Sequence, residues 1–257
     1  MARDTLRAML LKRFGKRHVM LVALAGFLFL TGLLLATERG SVIVNYIRVK
    51  LGGGYSTAER LEMHGADVED RLQPAFAAAH LPYPPREIAF IAIKQKRELQ
   101  LYARPSPDTV WTHVRTYPVL AQSGHLGPKL REGDRQVPEG IYRAEFLNPN
   151  SLYHLSIRLN YPNEVDKAAA RADGRTNLGS DIMIHGSQYS IGCIALGNEA
   201  AEDLFILSAV VGKEQVNVVI SPVDFRVPGT KTPADDRPWV QSLYRTLAQE
   251  LGNFPLK

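Results

Sequence analysis

The chain has 257 residues, 45% hydrophobic and 22% charged, a balance that excludes an intrinsically disordered segment and a minimal module stapled by disulfides. The formal charge is +5, but Arg3, Arg7, Lys12, Arg13, Lys16 and Arg17 stand against Asp4 alone at the N-terminus, and the rest of the chain is formally neutral. The basic character is therefore local and offers no argument for nucleic-acid binding.

In chain order, the first element is the uncharged stretch VMLVALAGFLFLTGLLLA, Val19 to Ala36. As a helix it is long enough to cross most of a bilayer's hydrocarbon core. The basic flank before it and the sparse charges after it (Glu38, Arg39) predict a cytoplasmic tail and transmembrane signal-anchor over residues 1–37, with everything beyond facing outward. A cleaved signal peptide is the alternative. The apolar run exceeds the usual length for one, and LLLATERG lacks a small-x-small cleavage site, which favours the uncleaved anchor. Either way the remaining chain works outside the cytoplasm.

Residues 38–86 read as a helical stalk or cap. Ser41 to Lys50 alternates loosely into Gly52-Gly53-Gly54, a flexible break. Tyr55 to His80 carries Leu61, Val68, Leu72, Phe76 and Ala79 at helical spacing, and Leu81-Pro82-Tyr83-Pro84-Pro85 stops it. Residues 87–222 form the next unit, in which strands dominate: 87–93 and 97–103 as a hairpin, an extended run over 110–121, and strands at 141–146, 153–160, 182–184 and 216–220. Helices are predicted at 164–172 and at 198–211, the latter with Asn198 as its cap. Residues 223–257 are a C-terminal extension with an amphipathic helix from Trp239 to Leu251. There is no repeat or low-complexity tract.

The informative segment is DIMIHGSQYSIGCIALGN, residues 181–198. His185 ends a short apolar strand, and Cys193, the sole cysteine, follows across a loop rich in Ser and Gly. The spacing lets the chain turn back and bring imidazole and thiol together, so that the imidazole takes the thiol proton and the thiolate attacks a carbonyl. Gly192 lets the backbone approach a substrate and aim its N–H, with that of Cys193, at a developing oxyanion. Two bland readings stand beside this one. A lone cysteine is often a small buried hydrophobe, and loop glycines often serve turns alone. A zinc site from His185, Cys193 and His154 or Asp181 lacks the usual paired-ligand spacing, and Gly52-Gly53-Gly54 lacks the Lys-Ser/Thr of a phosphate loop.

The His-Gly pair followed by S-x-G-C-I resembles the signature of the L,D-transpeptidase catalytic domain, or YkuD domain. Gly127-Pro128-Lys129, Glu132-Gly133-Asp134 and Pro138-Glu139-Gly140-Ile141-Tyr142 resemble the G-x-K-x-x-E-G-D and P-E-G-x-Y run of the same family, and together the matches cover roughly residues 87 to 222. The resemblance implies a mainly β, sandwich-like domain with flanking helices. It makes Cys193 the nucleophile and His185 the base, has the Gly186 carbonyl orient the imidazole, and has Ser190 and Gly192 shape the oxyanion donors. The implied substrates are peptidoglycan stem peptides, with no cofactor and no metal. Ile191 and Ala195 stand where most members have His and Arg. With the YPNEVD segment, these departures resemble the murein transpeptidase YafK branch, some of whose members release a peptidoglycan-linked lipoprotein by hydrolysis.

Further contacts to the stem peptide are sought nearby. His154 falls on one strand alternation with Ser156 and Arg158, and so lines the cleft or sits on its rim. Tyr161, Asn163 and Asp166 contact substrate or simply form a turn and a helix start. Lys129, Arg143 and Arg158 are candidates for substrate carboxylates, against the default of solvated surface charges. The function implied is transfer of a Cys-bound stem peptide to an amine in cell-wall remodelling. Hydrolysis of the same bond class is one alternative, and a non-catalytic murein-binding envelope protein is another.

Overall fold

A computed structural model describes residues 49–256 without a break and, before them, Leu21, Leu24, Gly26, Phe27, Gly32, Gly40 and Ile47. The chain divides into two compact units, Met1–Gly53 and Gly54–Lys257. Of the expected membrane segment, Leu21, Leu24, Gly26, Phe27 and Gly32 are helical and the remainder lies outside the described residues. Among the described residues no helix is long and apolar enough to cross a membrane. Ile47, Val49 and Lys50, from the loosely alternating stretch, are helical, and this helix gives way to a turn at Leu51 and Gly52.

The second unit begins with helix α1, Thr57–Ala78. Ser56 caps it through a reciprocal box with Glu59, which satisfies two otherwise orphaned N-terminal donors. Val68, Leu72 and Phe76, one helical turn apart, are fully buried in the main core, so this helix is a packed wall of the unit. Arg60 anchors the same face by donating to the Pro149 carbonyl at 2.9 Å.

Nine strands follow: β1 Glu87–Ile93, β2 Glu98–Arg104, β3 Thr112–Pro118, β4 Ala121–Gln122, β5 Gly140–Ser151, β6 His154–Leu159, β7 Met183–His185, β8 Ile194–Ala195 and β9 Val216–Ser221. They make one continuous mixed sheet in the order β3-β2-β1-β9-β5-β6-β7-β8-β4, so the expected mainly β domain is realised as a single curled sheet. The reason lies in β5. Its first residues, Gly140 to Arg143, pair with β9, whereas Ala144 to Ser151 pair with β6, with register shifts between Ala144 and Phe146 and between Asn148 and Ser151. Such irregularities bend a strand, so β5 turns the sheet from one half into the other without breaking it.

Strand β1, EIAFIAI, lacks polar alternation because both its faces are covered. Ile88, Phe90 and Ala92 enter the main core, and Ala89, Ile91 and Ile93 enter a second cluster. Helix α2, Glu164–Ala172, is capped by Asn163 in a reciprocal box with Asp166. Helix α3, Asn198–Val211, buries Leu204, Phe205, Ile206 and Leu207 and is a central element. Helix α4, Pro238–Leu251, closes the second cluster with Val240, Tyr244, Leu247 and Leu251.

Beyond the end of β1, Lys94 and Glu139 form a fully buried ion pair at 2.8 Å. The ammonium also donates to the carbonyls of Gly127 and Val137 at 2.8 and 3.0 Å. Glu139 accepts in addition from the Gly127 N–H at 2.7 Å and the Tyr244 hydroxyl at 2.9 Å. Burial lowers the Lys94 pKa, and Glu139 opposes that effect. Removing one partner strands the other charge in the interior, so Lys94→Met should lower stability by about 3–5 kcal/mol, measured from the denaturant unfolding midpoint. The double variant Lys94→Met/Glu139→Gln should recover part of the loss.

Candidate active site

The site is built where β7 and β8 lie side by side. Their pairing is parallel, Ile184 opposite Ile194 and His185 opposite Ala195, while β6 pairs antiparallel on the other side, Ser156 opposite His185 and Arg158 opposite Met183. Ile157, Ile184 and Ile194 all enter the main core. Alternation therefore sends Ser156, Arg158, Met183 and His185 to the opposite face, and Cys193 immediately precedes Ile194 at the start of the neighbouring strand. The thiol lies against the entry to β7, with Sγ 3.7 Å from the Asp181 carbonyl. The imidazole is at the strand's exit, two residues or about 6.6 Å beyond Met183.

His185 is 1% exposed. Its Nδ1 is 2.6 Å from the Gly186 carbonyl, an acceptor only, so Nδ1 carries the proton and Nε2 is the basic nitrogen. The ring stacks on Tyr153 with centroids 4.7 Å apart. Burial lowers the His185 pKa, with the Gly186 hydrogen bond opposing, so the ring is neutral at neutral pH. Burial also raises the Cys193 pKa; a hydrogen bond from the Met183 backbone opposes this, Asp181 adds to it and Lys129 opposes it more weakly. Both shifts favour the neutral forms.

Glycines are required here for two different reasons. A Cβ on Gly186 would meet Asn198 Oδ1 and the Tyr153 carbonyl at 2.7 Å, so no side chain fits beneath the imidazole. Gly192 has space but adopts φ +125, a conformation that L side chains rarely take. Around it, Ser190 Oγ accepts from the Gly192 and Cys193 N–H groups at 3.3 and 3.1 Å and donates to the Cys193 carbonyl at 2.6 Å. The two N–H groups considered as oxyanion donors are thus held by a hydroxyl. The loop carrying Lys129 to Gln136 packs beside this turn, with the Gln136 carbonyl 3.7 Å from the position of a Gly192 Cβ.

The other sequence candidates separate clearly. Arg158 faces the site, paired with Glu145 at 3.0 Å and Asp181 at 3.5 Å. Lys129 is buried and bonded to Asp134 and the Arg131 carbonyl; Asp134 also accepts from the Leu130, Arg131 and Gln136 N–H groups, so this motif organises a loop. Arg143 is exposed on the face of Ile141, toward the second cluster. Tyr161 is buried in the main core and donates to the Leu178 carbonyl at 3.2 Å. Asn163 and Asp166 form the α2 cap described above. His154 leaves the strand alternation because its φ is +74, and its Nε2 meets Glu202 on α3 at 2.7 Å.

Two neighbours escaped the sequence reading. Tyr153 precedes His154 in a turn, where strand alternation gives no cue to its stacking partner. Asn198 reads as a helix cap, yet the cap position is Gly197 and the Asn198 amide oxygen accepts from the Ser187 N–H at 2.8 Å. It thereby fixes the turn after His185-Gly186.

Comparison with known proteins bears directly on this architecture. The YkuD L,D-transpeptidase catalytic domain profile matches residues 86–220. YafK of Escherichia coli K12, whose naming as an L,D-transpeptidase is itself provisional, is 35% identical over 134 residues, covering 50% of this chain and 51% of the relative; its counterpart in strain O157:H7 matches equally. The chain thus spans about half the length of the curated relatives it matches. Among solved structures, the helical cell shape determining protein Pgp2 of Campylobacter jejuni is 19% identical with a TM-score of 0.41, covering 65% of this chain and 69% of that one. Bdellovibrio bacteriovorus Bd1075 is 20% identical with a TM-score of 0.39, over 66% and 56% of the two chains. L,D-transpeptidase 1 of Mycobacterium tuberculosis is 14% identical with a TM-score of 0.30, over 52% and 62%. With the matched span running from the residue before β1 into β9 and enclosing both His185 and Cys193, the chain belongs to the YkuD family of L,D-transpeptidase catalytic domains.

Proposed function

We propose that the protein is a cysteine-dependent L,D-transpeptidase acting on peptidoglycan stem peptides, with Cys193 as nucleophile and His185 as base. The observation that carries this reading is the parallel pairing of β7 with β8, which brings Cys193, the residue before β8, alongside the strand that ends at His185. The hydrogen bond from Nδ1 to the Gly186 carbonyl supports it further by leaving Nε2 as the acceptor. In the first half-reaction Nε2 takes the thiol proton as Sγ attacks the carbonyl of the L-centre of a diaminopimelate residue. The tetrahedral oxyanion collapses to a thioester, and the imidazolium returns its proton to the departing amine. An amine from a second stem then resolves the thioester into a cross-link.

Arg158 is the cation best disposed to receive a substrate carboxylate, since it faces the site beside Asp181. Water in place of the acceptor amine yields hydrolysis. That second reading, which extends to release of a peptidoglycan-linked lipoprotein, rests on Ile191 and Ala195 standing in place of the common His and Arg, a departure that resembles the YafK branch and leaves the acceptor preference open. The Val19–Ala36 stretch and its basic flank support a single-pass inner-membrane anchor with the catalytic unit in the periplasm, or secretion to the periplasm if the segment is cleaved.

Mass spectrometry of muropeptides incubated with the purified chain tests the assignment. A new cross-link is expected with the wild-type sequence; loss of a terminal residue or of a bound peptide without a new bond would identify the hydrolase. Cys193→Ala should abolish turnover while retaining murein binding, and unimpaired turnover would eliminate the nucleophile. His185 must be neutral to accept the proton and its pKa is lowered by burial, so the acid limb of kcat/KM should have its midpoint below pH 6.5. A midpoint above pH 6.5 would contradict a neutral base at His185. Ser190→Ala, which releases the turn around Gly192, should lower kcat by roughly 100-fold with little change in melting temperature.

A further inference from the structure

Behind the site, three elements converge on side chains that the proposed chemistry does not use. His64 projects from α1, His154 from the β5–β6 turn and Glu202 from α3, and one donor atom from each lies within 4.8 Å of the others. Both imidazoles address the same carboxylate oxygen: His154 Nε2 is 2.7 Å and His64 Nδ1 is 3.6 Å from Glu202 Oε1. The other oxygen, Oε2, is held by Arg71 at 3.3 Å. His64 Nε2 is buried without a hydrogen-bond partner, and the two rings meet edge to face at 5.6 Å.

We propose that His64, His154 and Glu202 form a binding site for a divalent transition-metal ion of the zinc class, tying α1 and α3 to the β5–β6 turn. Two imidazoles and one carboxylate are a borderline-soft donor set suited to such an ion. Ligands about 2.1 Å from a tetrahedral ion stand about 3.4 Å apart. The His64–Glu202 separation already has this spacing, and the His154–Glu202 contact needs to open by about 0.7 Å. Arg71 turns Oε1 toward the imidazoles as an outer-shell partner does. Its own charge is countered by Asp203 at 2.8 Å, which limits its repulsion of a bound cation. The side chains keep 16%, 24% and 17% of their surface for His64, His154 and Glu202 respectively, leaving the fourth position open to solvent.

The location gives the site a consequence for His185. Tyr153, whose ring stacks on His185, is the residue before His154, and His154 Cβ lies 3.1 Å from where a Gly186 Cβ would stand. An ion on His154 stiffens the turn that supports the base.

The test uses the full chain in detergent, untagged and freed of metal by chelation, carrying Cys193→Ser so that thiolate binding cannot contribute. Zinc titration by calorimetry should give one equivalent, cobalt(II) should give a tetrahedral visible spectrum without a thiolate charge-transfer band, and zinc should raise the melting temperature. His64→Gln and Glu202→Gln should each weaken zinc binding at least 100-fold and remove the thermal shift, while circular dichroism of the metal-free variants matches the parent. Absence of binding in the parent, or binding unchanged in both variants, overturns the proposal. Because the nucleophile is absent throughout, the result is independent of the catalytic assignment.

Discussion

A single buried carboxylate, that of Glu139, ties together more of this fold than any other polar group described. It neutralises Lys94 beyond β1, accepts from the Gly127 backbone and receives the Tyr244 hydroxyl of α4. Charges taken out of water are tolerated only when paired and hydrogen-bonded; here each is, and the result is a joint between the sheet, the motif loop and the C-terminal helix. The chain then enters β5 at Gly140, where a Cβ would come within 2.6 Å of the Tyr142 hydroxyl. The Glu139-Gly140 part of the family signature thus has a structural role in burial and close packing.

The same division runs through the rest of the signature. Lys129 reads in sequence as a candidate for a substrate carboxylate, but it closes on Asp134, which also accepts from backbone N–H groups, to build the loop beside Gly192. The His-Gly pair and the Ser-x-Gly-Cys turn hold the proposed base and nucleophile, at the end of β7 and just before β8. Burial shifts the pKa of His185 down and that of Cys193 up, in each case toward the neutral form.

What was legible in the sequence follows from the range of the forces involved. The bounds of β1, α2 and α3 could be read to the residue, since strand hydrophobicity, the Asn163-Asp166 cap and helical periodicity are local signals. The two-residue strands β4 and β8 carry no periodicity and were invisible, although β8 is the strand that sets Cys193 beside β7. The continuity of the curled sheet depends on irregularities within β5 that bring together residues distant in sequence, a feature without a local signal. Cys193 and His185 stand out through motif and spacing, whereas the contact of His154 with Glu202 has no local signal because a left-handed backbone overrides strand alternation there. The hydroxyl partner of Tyr161, the Leu178 carbonyl, is likewise not legible in the sequence.

The hydroxyl of Ser190, sitting between two backbone N–H groups, gives this site a built-in reference state. In the proposed acyl transfer an arriving carbonyl oxygen would not meet empty donors; it would compete with an oxygen already in residence. A neutral carbonyl gains little from that exchange, while a negatively charged oxygen forms hydrogen bonds roughly twice as strong. In an acyl transfer at Cys193 the turn would therefore discriminate by charge rather than by shape, holding back its stabilisation until the reacting oxygen becomes an anion.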